Sequence, residues 1–176
     1  MKQGIRHKIV RCPDIKRVVP RTRMLEGIEK CKKNIGDYLQ DARIIAGEGR
    51  LYHAVISAEF AVEELGKILL LKESMNRGND NVVIDGEEFC SHPKKAERAW
   101  SNILDRKYQV LFEETWDNAR WDTALWNGRK TVISNKMRLE CAFVDFIDNN
   151  WTLELDIDVN LFLEFIAHVE EKIKTI

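Results

Sequence analysis

The stretch Ala58-Glu-Phe-Ala-Val-Glu-Glu-Leu-Gly-Lys-Ile-Leu-Leu-Leu71 sets the terms on which this chain can fold. At the helical period of about 100° per residue, Leu51, Val55, Ala58, Val62, Leu65 and Leu69 form one wide apolar arc. The opposite arc is no ordinary solvent face. Glu59, Glu63 and Lys67 align at i, i+4 and i+8, with Tyr52, Ile56, Phe60 and Leu70 interleaved among them. A helix apolar nearly all round is buried on most sides. Charges on it must then be paired or hydrogen-bonded, because an unpaired buried ion is very costly.

The rest of the chain supplies the helices that could enclose it. Leu25, Ile28, Cys31 or Lys32, Ile35, Leu39, Ala42 and Ile45 recur at helical spacing from Thr22 to about Ala46, and Gly47 and Gly49 end that run. A second helix from Arg50 to about Asn76 follows a very short turn, so the two should pack as an antiparallel hairpin. Val82-Val83-Ile84 reads as a short extended piece in a polar connection. Ser91 is a candidate N-cap with Pro93 in the first turn, opening a third helix to about Thr115 through Ala96, Trp100, Ile103, Leu104, Lys107, Leu111 and Phe112. The tryptophans at 116, 121 and 126 are five apart, a spacing that one helical stripe cannot hold. Their readings are core packing or a partner-facing surface. A fourth helix is expected over Lys130–Ile147, an extended stretch from Trp151, and a last helix capped by Asp158 with Phe162, Phe165, Ile166, Val169 and Ile173 inward. The expectation is an all-α, up-and-down bundle of about five main helices, with a basic arm at 1–21 and a single helical domain at 22–176.

Composition bounds the function classes. A length of 176 residues suits one domain with a real core. No apolar run approaches the roughly 18 residues that span a bilayer, and charges interrupt any secretory leader, so no membrane association is expected. Cysteines at 12, 31, 90 and 141 lack metal-site spacing and read as reduced thiols of a cytoplasmic protein. The net charge of −1 hides an asymmetry. Residues 1–23 carry eight basic groups against Asp14 alone, so the remainder must be acidic by eight, much of it within 140–176. The arm could bind nucleic acid or dock on that acidic surface. It holds no aromatic residue to stack a base, which favours docking.

Three segments then fall into one pattern. Asp41-Ala-Arg-Ile-Ile leads to His53-Ala-Val-Ile-Ser-Ala-Glu-Phe-Ala-Val-Glu-Glu-Leu-Gly-Lys67, followed by Phe89-Cys-Ser-His-Pro-Lys-Lys95 and Arg138-Leu-Glu-Cys-Ala-Phe-Val-Asp145. In that order they resemble the bacterial abortive-infection AbiV family, over about residues 25–151. That family belongs to the HEPN group of helical bundles, so the resemblance implies a HEPN-like fold and a part in phage resistance. HEPN ribonucleases carry an arginine, four to six residues, then a histidine. None of His7, His53, His92 or His168 has an arginine at that upstream distance. The expectation is therefore a defence protein that binds a phage or host component, leaning against an enzyme and acting as a homodimer. The alternative is a HEPN-type RNA-processing or nucleotide-modifying enzyme using Glu63, Lys67 and His92.

Candidate binding residues are Glu59, Glu63 and Lys67 with His92, Lys95 and Arg138 as further partners, Glu63 and Lys67 being a favourable i, i+4 pair. Two readings stay open: a polar pocket meeting a ligand, or a buried ion-pair network that fixes helix register. No catalytic residue can be assigned. No cofactor is called for, since phosphate-loop and dinucleotide fingerprints are absent. No metal is expected, because the di-iron pattern wants Glu-x-x-His on two helices and Lys67 is a poor neighbour for a dication. His92, with Lys94 and Lys95 near a helix start, could meet a phosphate or simply sit at the surface.

Overall fold

The computed structural model describes residues 17–77, 81–111, 145–147, 150–152 and 157–176. Its frame is a helical hairpin of α1 (Arg21–Gly47) and α2 (Leu51–Asn76). Gly49, at φ +77°, takes the left-handed conformation that only glycine adopts freely. Its N–H bonds the carbonyl of Ala46 at 2.9 Å and the N–H of Arg50 bonds that of Ile45 at 3.1 Å, closing the turn. At the hairpin's open end β1 (Arg17–Pro20) pairs antiparallel with β2 (Asn81–Ile84), Val18 opposite Val83. The extended piece expected at 82–84 is thus a strand, and residues 17–20 of the basic arm supply its partner.

The inward faces are those the periodicity marks. Met24, Ile28, Cys31, Ile35, Leu39, Ala42 and Ala46 of α1 are buried, as are Val55, Ala58, Val62, Leu65 and Ile68 of α2. A short helix α3 (Gly86–Cys90) leads into α4 (His92–Asn102), which packs on α2. Ser91 caps α4 by accepting the N–H of Lys94 at 3.4 Å. The closing helix α5 (Val159–Thr175) starts at Asp158, whose carboxylate accepts the N–H groups of Asn160 and Leu161 at 2.9 and 3.2 Å. Its Phe162, Phe165, Ile166 and Val169 complete the core. Phe165 lies 5.8 Å from Trp100 of α4 and edge-on to Tyr108 at 5.6 Å.

Two expected helices are corrected. The third does not run to Thr115: it ends at Asn102, and a 3₁₀ segment follows at Arg106–Leu111. Both Ile103 and Leu104 donate to the carbonyl of Ala99, four and five residues back, which closes the helix end, and the Asp105 carboxylate then accepts the N–H of Lys107 at 3.0 Å. Asp105 restarts the chain where periodicity alone would carry it on. The fourth helix cannot reach Ile147, because Asp145–Ile147 forms β3 and pairs antiparallel with β4 (Asn150–Thr152). The rest of that expected helix and the tryptophans at 116, 121 and 126 lie outside the described residues. The architecture is all-α, with two short ribbons attached. Among the described residues no helix is long and apolar enough to cross a membrane.

Candidate functional site

The conflict written into α2 is resolved by α4. Glu59, Glu63 and Glu64 are buried on α2, and Lys95 of α4 is the one other charged residue as deeply enclosed among the described residues. Oε2 of Glu63 lies 3.1 Å from Nζ of Lys95 and accepts a hydrogen bond from Nδ1 of His92 at 2.6 Å. Only the imidazole reaches solvent: side-chain exposure is 6% for Glu63, 4% for Lys95 and 57% for His92. The His-x-x-Lys spacing places both donors on one face of α4, three residues apart.

Gly66 makes this approach possible. A Cβ at that position would sit 1.9 Å from the carbonyl oxygen of Lys95 and 2.5 Å from its carbon. Without a side chain there, the α4 backbone rests directly on α2 and delivers Lys95 to Glu63. The glycine of Glu-Glu-x-Gly-Lys is therefore a packing requirement, and here its lack of a Cβ matters more than its backbone freedom.

Lys67 departs from its expected pairing. It forms its ion pair with Glu64, at i−3, whereas Glu63 is taken up by the groups from α4. The Lys67 ammonium also lies 6.0 Å from the centroid of the Phe89 ring. Glu64 in turn accepts a hydrogen bond from the thiol of Cys31 on α1. Burial first, then this carboxylate, pushes that thiol from 9.0 up to about 12, while Lys67 and Lys95 pull the other way. One buried polar cluster thus joins three helices: Cys31 from α1, Glu63, Glu64 and Lys67 from α2, Lys95 and His92 from α4. Cys31 and Glu64 escaped the sequence reading. Glu64 stood in the motif, but the i, i+4 stripe drew attention to its neighbours, and Cys31 looked like any core position of α1.

Of the other expected residues, Glu59 is buried on α2 beside the cluster, and Arg138 lies outside the described residues. The cysteines also differ from the expected reduced set. Cys31 is free, but Cys90, which ends α3, is disulfide-bonded.

The chemistry follows from the donors. A carboxylate paired with the Lys95 ammonium only accepts, so His92 donates to it from Nδ1. In the neutral ring Nε2 then carries a lone pair directed away from Glu63. The site can present one oriented imidazole at the surface while everything behind it is enclosed. Two clefts lie nearby, the smaller between α2, β2 and α3 and the larger along α4. One of about 60 Å³ is lined by Leu71, Val83, Ile84 and Phe89 among others, and one of about 330 Å³ by Leu70, Glu88, Lys94, Glu97, Arg98 and Ser101 among others. Neither is lined by Glu63 or His92. Arg98, on the wall of the larger one, bridges Glu73 of α2 and Glu88 of α3. Among the described residues no group of three or more His, Cys, Asp or Glu side chains is placed to hold a metal ion.

Comparison with known proteins adds one finding. Neither the curated proteins nor the solved structures yield a match to this chain. The family model for AbiV, a HEPN family, matches residues 23–174. That match runs from the first turn of α1 to the last turn of α5 and includes both halves of the α2–α4 cluster, so the chain belongs to the AbiV family of HEPN domains.

Proposed function

We propose that this protein acts in abortive infection by binding a phage or host component, with His92 and the exposed face of α4 as the contact surface. Membership of the AbiV family supports the phage-defence role itself. The observation that carries the binding reading is the enclosure of the charged cluster. Glu63 and Lys95 are too deeply buried to meet a ligand, and His92 is the part of their network that solvent reaches. Such a network fixes how α4 sits on α2, and so fixes the surface that α4 offers. In this reading the protein works in the cytoplasm as a homodimer, and its partner is a protein.

The test is a plaque assay with His92→Ala, alongside a melting curve of the purified variant. The side chain is mostly exposed, so the fold should persist while protection falls. A folded His92→Ala protein that protects as well as wild type would overturn the assignment of this surface.

The enzymatic alternative draws on a different aspect of the same observation. A surface imidazole oriented by a buried carboxylate is suited to proton transfer, as an RNA-processing or nucleotide-modifying enzyme would need. Incubating the purified protein with RNA and with nucleotides separates the readings. Turnover that disappears in His92→Ala supports the enzyme, and its absence in wild type supports the binder.

A further inference from the structure

On the far side of α4, His168 of α5 meets the turn that opens the 3₁₀ segment. Its Nε2 accepts the backbone N–H of Asp105 at 3.2 Å. Its ring centroid lies 5.1 Å from that of Tyr108, which is itself buried against Phe165. A backbone N–H can only donate, so this bond requires a lone pair on Nε2. The neutral imidazole with its hydrogen on Nδ1 has one. The imidazolium donates from both nitrogens and has none.

Asp105 is engaged twice in the same turn. Its carboxylate accepts the N–H of Lys107 at 3.0 Å and its carbonyl accepts the N–H of Tyr108 at 3.2 Å. A proton on His168 would remove the acceptor for the Asp105 N–H. It would also create a cation whose largest attracting charge is the Asp105 carboxylate, ahead of Glu171. Pairing with that cation draws the carboxylate away from the N–H that it caps. Both bonds that start the segment are then in competition with the protonated ring.

We propose that His168 is a proton-operated latch, which holds the 3₁₀ segment Arg106–Leu111 on α5 when neutral and releases it when protonated. Among the described residues the charges facing it are Lys172 and Glu171 on its own helix and Asp105 and Lys107 from the segment. Lys107 is held 3.7 Å from Glu164 of α5, so the segment has a second tie to that helix. Burial, and then Lys172, lower the pKa of His168 from its ordinary 6.5, against the pull of Asp105 and Glu171. The folded value lies below the unfolded one, so the folded state binds fewer protons in this range. The latch therefore contributes fully above about pH 6.5 and is lost as pH falls through the folded value.

Hydrogen exchange of the full chain tests this, read on peptides covering residues 104–111 and corrected for the intrinsic pH dependence. Between about pH 7.5 and about pH 5.5 the wild type should lose protection roughly fivefold or more in those peptides, with α1 and α2 unchanged. His168→Gln keeps an acceptor oxygen but cannot titrate, and should change less than about twofold over the same range. Equal losses in the two proteins, or none in wild type, overturn the proposal. Should the Gln variant not fold, the wild type still decides. The titration midpoint of the His168 ring signal by NMR must coincide with the loss of protection, and two separate midpoints would refute the latch.

Discussion

Gly66→Ala isolates the contact on which the α2–α4 cluster depends. The added Cβ would meet the Lys95 carbonyl oxygen at 1.9 Å, whereas ordinary contact begins near 3.4 Å, so the helices must part by about 1.5 Å there. The obstacle is backbone, which cannot rotate away as a side chain would. Parting by that amount also stretches the 3.1 Å Glu63–Lys95 contact beyond hydrogen-bond reach, with both groups still buried. Overpacking costs about 1–3 kcal/mol, and a weakened buried pair raises the total towards the roughly 3–5 kcal/mol of breaking one outright. Alanine's better helix propensity returns only about 1 kcal/mol. The net expectation is a loss of about 2–5 kcal/mol by urea denaturation followed by circular dichroism. Gly36→Ala is the internal control. It lies on the exposed face of α1 with nothing within 4 Å of the added carbon, and should be stabilising by about 0.5–1 kcal/mol. If the two variants shift stability alike, the close approach of α4 to α2 is wrong.

Other outcomes follow from the same geometry. Cys31 should resist iodoacetamide in the native protein near neutral pH, because its raised pKa leaves almost no thiolate; mass spectrometry of the alkylated protein reads this. The same shift predicts that stability falls as pH rises from 9.0 towards about 12, since the unfolded thiol ionises first; Cys31→Ala should flatten that alkaline limb of a denaturation series. Asp158→Ala removes the acceptor for two N–H groups at the start of α5 and should cost about 1 kcal/mol in the same denaturation assay, with Asp158→Asn largely spared. Phe165→Ala empties a fully buried site between Trp100 and Tyr108 and should cost about 3–5 kcal/mol.

The enclosed cluster was partly legible because α2 contradicts itself. Carboxylates placed on a helix that is apolar on nearly every side need enclosed partners, and the His-x-x-Lys segment of the family resemblance named His92 and Lys95, which lie beside Glu63. Caps were equally legible at Ser91 and Asp158, since a short polar side chain before an apolar run has few other uses. The pairing of Lys67 was not, because i, i+3 and i, i+4 partners are equally near on a helix, and the choice fell to groups arriving from α4. Gly66 stood in the motif without a stated role, because its purpose shows only when another backbone lies against it. The end of α4 at Asn102 turned on Asp105, whose capping bond outweighs an apolar period that continues past it. β3 escaped for a similar reason: it draws its support from β4, which overlaps the extended stretch expected from Trp151 and is a partner that a helical reading of 130–147 does not consider.

A double-mutant cycle between Glu63 and Lys95, using Glu63→Leu, Lys95→Met and the pair, measures the buried match across α2 and α4. Each single change should cost about 3–5 kcal/mol by leaving one charge enclosed, while the double variant should lie within about 1–2 kcal/mol of wild type. Single losses that simply add would mean that the two side chains do not meet, and the frame behind His92 would go with them.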